Sequence, residues 1–581
     1  MTDRVRRDQK SAFDERLTTG LSYHQQGDLK RAKTLYDEIL VGDEGNVSAL
    51  HLSGILAGQE GDYVKAQTYI ERALILEPNV PSFHNNLANA LKNQGRVDDA
   101  IYHYKKALEL EPGNAAANNN LGIVYYQNKQ YPEAISSYEA ALYIKPDYTD
   151  AHYHLGMALL HVDQTKRAIT HFEAILSLDQ THTEAHYQLG QIYHQQNNLD
   201  KALGYYTACL GLEPEHVESH HGLAAAYANL GDLKQARDYF EKTLQYQADH
   251  HEARFNFASL LLNQKKLNEA LMHYLHLLDN QPSLDVYYNI GVIYMDQDRH
   301  DDAIQYFNEA LAFNPDHLET HINIAAVFLK KEDFQNASKH YEIVFKHQPD
   351  NPEIAYILNA INQNEKTGKK FNTAPDQYVK NLFDQYAPHF DKHLTEYLYY
   401  QAPEQLYRVV TTLLGDVSEE WLVLDLGCGT GLCGSLFRSL AKKLIGVDIS
   451  EKMLAIAKEK DIYDILQTSE MVAALSGYND LDLIIAADVL PYIGDLKYLF
   501  PGVGRALTSQ GWFAFTIEKT NISPYELQRS ARFAHAQGYI EQLAGEYNFN
   551  VLHRSSVILR NNRNQVVEGV IYVLSSARVC P

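Results

Sequence analysis

The chain has 581 residues, which is too long for one hydrophobic core and indicates several domains or a repeat array. Apolar residues make up 45% and charged residues 22%, so wholesale disorder is excluded. The formal net charge of −23 argues against duplex nucleic acid or an anionic membrane as the main partner, because both need a positive protein face.

The four cysteines fit no zinc site and are too few for a disulfide framework, which indicates a reducing compartment. The N-terminal sequence MTDRVRRDQK is polar and is not followed by the apolar core of a signal peptide. No apolar run reaches the length of about 18 residues that a membrane span needs. We therefore predict a cytoplasmic protein without a membrane or nucleic-acid partner.

Residues 13–351 repeat one pattern ten times. An alanine recurs every 33 or 34 residues from Ala32 to Ala337. In most of the repeats a small residue precedes this alanine, an aromatic residue follows it four positions later, and a proline comes after the aromatic residue. This pattern resembles the tetratricopeptide repeat (TPR). The resemblance implies an all-α solenoid, a superhelix of helix pairs whose concave face binds a protein or peptide. Residues 353–362 read as one more helix, which would cap the last repeat.

Two polar patterns run through the repeats. Asparagine recurs two residues before the small residue, at Asn86, Asn120, Asn256, Asn289 and Asn323. A similar ladder in the O-GlcNAc transferase superhelix grips a substrate peptide, although asparagine is also simply common at this position. His182 and His186 have the spacing of two metal ligands, but no third ligand accompanies them, so we predict surface histidines and no metal site.

The polar stretch at 363–377 marks the domain boundary. It divides the chain into a solenoid at 1–364, a linker at 365–377 and a second domain at 378–581. Strands are predicted there at 421–426, 443–448, 463–468, 481–487, 511–518, 549–558 and 566–575. Helices are predicted at 432–440, 451–459, 495–507 and 523–546. This alternation implies a parallel, doubly wound sheet that ends in an antiparallel hairpin.

The sequence VLDLGCGTGLCG at 423–434 forms the turn after the first strand of this domain. A dinucleotide fingerprint should begin at the strand end, at Gly427, but its last glycine position is then Leu432. Asp425 at the strand tip would repel a pyrophosphate and suits a ligand with an ammonium and a sulfonium group. Residues 376–577 thus resemble class I S-adenosylmethionine-dependent methyltransferases, which have a Rossmann-like, seven-stranded α/β fold.

The resemblance implies S-adenosylmethionine as the methyl donor and assigns its binding residues. Asp448 would accept the ribose hydroxyls, and Asp488 would lie near the methionine portion and the nucleophile. Glu470 would face the adenine amino group, although it fits a helix cap equally well. Tyr386 and Phe390 would close over the donor, unless they are only an apolar stripe packed on the sheet. The predicted donor-binding residues are Asp425, Gly427, Gly429, Gly431, Asp448, Glu470, Asp488, Tyr386 and Phe390.

Methyl transfer needs a general base only if the nucleophile is protonated, and the candidates are His535 and Glu518. Arg532 and Tyr539 would share a helix face with His535 and could bind a carboxylate. The ten repeats favour a protein methyltransferase whose solenoid recruits its substrate. The alternatives are a small-molecule methyltransferase acting on a carboxylate or hydroxyl, and a non-catalytic scaffold that keeps a donor pocket.

Overall fold

The computed structural model describes residues 2–363, 369–415, 420–522, 524–562 and 565–577. The chain divides into two compact units, Met1–Gln281 and Pro282–Pro581.

The first unit consists of consecutive helix pairs, as the TPR pattern predicts. Its helices are α1 Thr2–Gln25, α2 Leu29–Gly42, α3 Val47–Gln59, α4 Tyr63–Leu76, α5 Pro81–Asn93, α6 Val97–Leu110, α7 Ala115–Gln127, α8 Tyr131–Ile144, α9 Thr149–Leu160, α10 Thr165–Leu178, α11 Thr183–Gln195, α12 Leu199–Leu212, α13 Val217–Leu230, α14 Leu233–Tyr246, α15 His251–Asn263 and α16 Leu267–Asn280.

Small residues allow the two helices of a repeat to approach closely. A Cβ atom added to Gly122 would lie 2.5 Å from the ring of Tyr138, and one added to Gly156 would lie 2.7 Å from the ring of Phe172. Both rings are fully buried, so the aromatic residue fills the space that the glycine leaves. The predicted all-α TPR solenoid is therefore confirmed.

The second unit begins with five more helices of the same kind, α17 Leu284–Asp296, α18 His300–Phe313, α19 Leu318–Lys330, α20 Phe334–His347 and α21 Pro352–Ile361. Helix α21 packs on α20 through Ile354 and Leu358. Its opposite face is also covered, because Tyr356 and Ala360 share a core cluster with Phe533. Thus α21 does not end the repeats with a face turned to water, as a simple cap would.

The rest of the second unit is a mixed sheet flanked by helices. Its strands are β1 Trp421–Leu426, β2 Ala441–Asp448, β3 Ile465–Thr468, β4 Leu481–Ala486, β5 Leu507–Lys519, β6 Tyr525–Leu527, β7 Phe533–His535, β8 Phe549–Asn562 and β9 Gln565–Ser576. Its helices are α22 Asp376–Tyr386, α23 Phe390–Lys392, α24 Ala402–Leu414, α25 Leu432–Phe437, α26 Glu451–Glu459, α27 Met471–Leu475, α28 Leu499–Ala506 and α29 Gln537–Glu546.

The sheet has parallel strands in the order β3-β2-β1-β4-β5, and β9 and then β8 extend it antiparallel from β5. All seven predicted strands are present, and the predicted Rossmann-like α/β fold is confirmed. The apolar strands β1 and β4 supply the centre of the core on both faces.

The predicted helix at 523–546 is wrong for its first half. Residues 525–535 form the hairpin of β6 and β7, and the helix begins only at Gln537. Strand β4 pairs with β5 only as far as Phe515. Strand β7 pairs with β5 farther along, near its carboxyl end, at Glu518. Burial of Leu527 and Phe533 overrides the helix propensity of this stretch. The hairpin therefore lies past the end of β4, where the parallel strands present their loops.

Candidate functional site

A cavity of about 640 Å³ lies at the carboxyl ends of the parallel strands. One wall consists of the loops that follow β1 to β4, and another consists of the segment 373–400. The β6–β7 hairpin and β8 add Arg532 and Arg560. In an open parallel sheet this edge is the usual place for a ligand.

The glycine turn after β1 forms part of the cavity wall. Gly427, Gly429 and Gly431 have φ angles of +67°, +55° and +89°, which residues with a side chain rarely adopt. Gly427 and Gly429 line the cavity, whereas Gly431 precedes the first residue of α25. A Cβ atom at Gly427 would lie 2.6 Å from Val489. Glycine is therefore required by backbone conformation at all three positions and by space at the first.

Two carboxylates stand beside this turn. Asp448 lines the cavity and accepts hydrogen bonds from the backbone N–H groups of Gly429, at 2.9 Å, and Ser450, at 2.8 Å. Burial raises its pKa above the ordinary value. Glu470 also lines the cavity, and its Oε2 caps α27 by accepting from Ala473 N at 2.8 Å. The predicted helix cap is thus present, and because Glu470 also lines the cavity, its position facing the adenine amino group stays a prediction.

Asp425 lies behind the glycine turn and is not part of the cavity wall. It is 1% exposed and accepts a hydrogen bond from the Tyr463 hydroxyl at 2.7 Å. Burial and the nearby charge of Asp448 raise the pKa of Asp425 to about 7. Its placement does not support the prediction that this carboxylate faces the ammonium group of a donor, and we assign it instead to supporting the turn.

The raised pKa of Asp425 predicts a pH-dependent stability. A carboxylate whose pKa is raised on folding stabilises the fold fully below about pH 4 and loses that contribution as the pH rises to about 7. Asp425→Asn keeps an acceptor for Tyr463 and removes this titration. From pH 5 to pH 8 the unfolding free energy of wild type should therefore fall relative to the variant, by about 2 kcal/mol. Urea unfolding at both pH values measures this difference, and a constant difference would contradict the assignment.

The segment 376–400 covers the glycine turn. Tyr386 and Phe390 line the cavity, and Phe390 lies 3.7 Å from the position of a Cβ atom at Gly429. Polar contacts on both sides hold the segment. Asp384 accepts from the Ser450 hydroxyl at 2.6 Å, and Asp391 contacts Thr430 and Lys460. Tyr386 and Phe390 thus lie at the cavity beside the glycine turn, and their closing over a bound donor stays a prediction.

Beside the cavity, four charged side chains form a closed ion cluster, which we call the charge quartet: Asp488, Glu518, Arg532 and Arg560. Arg532 contacts Glu518 at 2.6 Å and Asp488 at 2.5 Å. Arg560 contacts Asp488 at 2.8 Å and Glu518 at 2.7 Å. Each guanidinium thus pairs with both carboxylates. Asp488 lines the cavity, with a φ angle of +57°, and its place near the methionine portion of a donor stays a prediction.

Neither predicted base is placed to accept a proton from a substrate. Glu518 is buried, which alone would raise its pKa, but Arg532 and Arg560 outweigh burial and hold the pKa below the ordinary value. His535 is fully buried at the end of β7 and lies outside the cavity wall. Its Nε2 donates to the carbonyls of Ile493 at 2.8 Å and Gly494 at 3.1 Å, and burial lowers its pKa to about 4.

Among the residues of the cavity wall that sequence reasoning missed are three with polar side chains, His393, Tyr400 and Arg560. Arg560 falls two residues beyond the predicted strand end at 558, whereas β8 continues to Asn562. In the sequence, Tyr386, Phe390 and His393 follow one another at the spacing of residues on one helix face. This spacing is the signal that could have indicated His393 as a cavity residue. Tyr400 carried no comparable signal.

Most of the asparagine ladder is engaged within the repeats. Asn86, Asn256 and Asn323 hydrogen-bond to His51, His221 and Tyr288, each 35 residues earlier. No such bond is described for Asn120 or Asn289. The described contacts therefore give three of the five asparagines a role in joining adjacent repeats, and the peptide-binding role stays a prediction.

The histidine pair with metal-ligand spacing has other partners. His182 Nδ1 accepts from Ala185 N at the start of α11, and His186 Nε2 donates to the Gln180 carbonyl. Within the described part of the chain, no group of three His, Cys, Asp or Glu side chains is arranged to hold a metal ion.

Comparison with protein families matches both parts of the chain. Models described as tetratricopeptide repeat match residues 51–115, 87–149, 221–285 and 284–317. A model of subunit 3 of the anaphase-promoting complex, or cyclosome, matches residues 161–243 within the same region. A model described as methyltransferase domain matches residues 424–515, from the glycine turn to β5. The chain is a fusion of tetratricopeptide repeats with a methyltransferase domain.

Curated relatives match only a part of the methyltransferase domain. A ubiquinone biosynthesis O-methyltransferase of Thiobacillus denitrificans is 26% identical over 112 residues, 18% of this chain and 47% of the relative. A malonyl-[acyl-carrier protein] O-methyltransferase of Hamiltonella defensa is 29% identical over 106 residues, 18% of this chain and 40% of the relative. An uncharacterized RNA methyltransferase of Caldanaerobacter subterraneus is 34% identical over 94 residues, 16% of this chain and 18% of the relative. The chain spans less than half the length of these relatives.

Among solved structures, the repeats are similar to YrrB, a TPR protein with an unusual peptide-binding site. The identity is 28%, the TM-score is 0.30, and the match covers 34% of this chain and 97% of that chain. Among the residues that the structure describes, no helix combines the length and the apolar character needed to cross a membrane.

Proposed function

We propose that the chain is an S-adenosylmethionine-dependent methyltransferase whose TPR solenoid recruits a protein substrate. The observation that carries the proposal is the cavity wall at the strand ends, where the glycine turn, Asp448 and Glu470 converge. S-adenosylmethionine supplies a methyl group already activated by a sulfonium.

The donor would lie against the glycine turn. Gly427 and Gly429 bring the backbone close to the methionine and ribose portion, because they carry no Cβ atom. Asp448 offers its remaining lone pairs to the ribose hydroxyls, and Glu470 stands where the adenine amino group would lie. Tyr386 and Phe390 exclude water above the donor, which favours a displacement between a cation and a nucleophile.

The protein-substrate proposal rests on the packing between the last repeat helix and the cavity wall. The Tyr356 hydroxyl of α21 donates to the carbonyl of Ala531 at 2.8 Å, and Tyr356 is fully buried. The next residue, Arg532, lines the cavity. Nearby, Arg529 lies over the ring of Phe334 in α20, 5.1 Å from its centroid. A substrate held by these repeats would therefore be held at a fixed position relative to the cavity.

A small-molecule methyltransferase is the second candidate. The names of two relatives specify O-methylation in ubiquinone biosynthesis and of a malonyl group on acyl-carrier protein. In this case the repeats would serve complex assembly. A non-catalytic scaffold with a donor pocket is the third candidate, and the intact glycine turn disfavours it.

We also propose a cytoplasmic location without nucleic-acid or membrane partners. The proposal rests on the net charge of −23 and on three free, buried cysteines, Cys209, Cys428 and Cys433.

The test is methyl transfer to proteins in a lysate of the source cells. With radiolabelled S-adenosylmethionine, wild type should label a protein band. Asn120→Ala combined with Asn289→Ala should reduce that label several-fold and leave donor affinity unchanged, because these asparagines have no described partner in an adjacent repeat. Asn308→Ala, an exposed position on α18, is the matched control. Label confined to the small-molecule fraction would reject the protein substrate, and absence of donor binding would reject the methyltransferase assignment.

A further inference from the structure

We propose that the methyl acceptor is a carboxylate, which Arg532 and Arg560 bind and which leaves as a methyl ester. This inference rests on the proposed methyltransferase function and specifies its acceptor. It starts from the charge quartet, which contributes Asp488, Arg532 and Arg560 to the same cavity wall as the glycine turn.

The quartet is electrically balanced and fixed from several directions. Its members come from the end of β4, from β5, from the residue before β7 and from β8. Three of them, Asp488, Arg532 and Arg560, line the cavity, whereas Glu518 does not. Arg532 also donates to the Tyr492 hydroxyl at 2.9 Å, with its guanidinium 5.0 Å from the Tyr492 ring centroid. The two guanidinium planes are therefore held in place before any ligand binds.

Both arginines keep N–H groups for a ligand. A guanidinium has five N–H donors. The described contacts use three nitrogens of Arg532 and two of Arg560. A carboxylate is the planar anion that matches two such N–H groups. Its negative charge would sit beside a quartet whose own charges balance, and opposite the cationic donor, so the bound pair of reactants would be neutral overall.

The chemistry also fits the lack of an accessible base among the predicted candidates. One carboxylate oxygen attacks the methyl carbon, the new O–C bond forms as the S–C bond breaks, and the electron pair stays on sulfur. No proton is transferred. Buried His535 and paired Glu518 are then not required as bases. The negative carboxylate and the positive sulfonium give a neutral ester and a neutral thioether. A site closed to water favours such a reaction, because water would stabilise the charged reactants.

A hydroxyl acceptor is the rival, and His393 would be its base. His393 lines the cavity, and its Nδ1 is buried without a described hydrogen-bond partner. The two acceptors give products with different stability: an ester hydrolyses in mild alkali and releases methanol, whereas a methyl ether or methylamine persists.

The experiment uses the 581-residue chain, radiolabelled S-adenosylmethionine and lysate of the source cells, followed by mild alkali. We expect more than about nine-tenths of the transferred label to become volatile methanol. The same treatment of the protein band and of the small-molecule fraction identifies which source supplies the carboxylate. Alkali-stable label would overturn the carboxylate and leave the methyltransferase function standing. Absence of any transfer would overturn both.

A binding measurement tests the arginines directly. Glutarate is titrated by calorimetry into protein saturated with S-adenosylhomocysteine, with glutaramide as the neutral comparison. Glutarate should bind at least ten times more tightly than glutaramide. Arg560→Lys keeps the positive charge but loses the planar guanidinium, so it should remove most of this preference. Its affinity for S-adenosylhomocysteine should stay unchanged. Arg554→Gln, an exposed arginine on the same strand, should keep it. Equal binding of both probes to wild type would contradict the site.

Discussion

Asp448→Ala is expected to lower affinity for S-adenosylmethionine by at least about 100-fold, which corresponds to about 2.7 kcal/mol. The loss has two physical sources. The variant removes the two oxygens proposed to accept the ribose hydroxyls. It also removes the acceptors that hold the N–H groups of Gly429 and Ser450, so the glycine turn keeps only its backbone bonds from Gly427 and Cys428 to the Val447 carbonyl in β2. Calorimetric titration of the donor measures the change.

Asp480→Ala is the matched control, because Asp480 is an exposed aspartate of the same domain. It should bind the donor as wild type does. Asp448→Asn separates the two contributions, since its one oxygen can keep a single backbone contact while the charge is lost. Wild-type affinity in Asp448→Ala would show that the donor does not lie against this turn.

The sequence alone indicates where the first two strands end and which residues lie at those ends. Glycine at three alternate positions, each now seen with a positive φ angle, and an acid at the end of the next strand are local signals. They depend on where a strand stops, and apolar runs such as WLVLDL mark that point well. Thus the sequence could indicate Gly427, Gly429 and Asp448, which line the cavity, whereas Asp425 lies outside the cavity wall; their donor-binding roles stay predictions.

The charge quartet was beyond prediction because its members are far apart in the chain. Asp488 and Arg560 are separated by 72 residues, and only the pairing of β5 with β9, and of β9 with β8, brings them together. The hairpin that carries Arg532 also has the composition of a helix. Pairing with the carboxyl end of β5 and burial of Phe533 decide its conformation, and neither is visible in a local window.

The same limit applies to the repeats. The sequence shows the asparagine periodicity. The hydrogen-bond partners of Asn86, Asn256 and Asn323, however, lie 35 residues earlier, so each partner occupies a different position of the preceding repeat. A pattern that follows one repeat position does not reveal a hydrogen bond to a different position of the preceding repeat. This is why a structural bridge and a peptide-binding ladder have the same appearance in the sequence.

Arg532→Gln is expected to destabilise the methyltransferase domain strongly. It leaves the buried Glu518 and the partly buried Asp488 with one guanidinium, and breaking a buried ion pair in this way costs about 3 to 5 kcal/mol. The two tryptophans of the chain, Trp421 in β1 and Trp512 in β5, both lie in this domain, so their fluorescence during urea unfolding reports on it alone.

Adding Glu518→Gln to Arg532→Gln should recover part of the lost stability, because the remaining Asp488 and Arg560 again balance in charge. The pH dependence supplies a second readout. In wild type the arginines hold the pKa of Glu518 below its ordinary value, so the stability it contributes is present above that ordinary value and is lost as the pH falls through the lowered pKa. Arg532→Gln weakens this effect and should move acid unfolding to a higher pH. A double variant less stable than Arg532→Gln would mean that Glu518 contributes packing rather than charge balance.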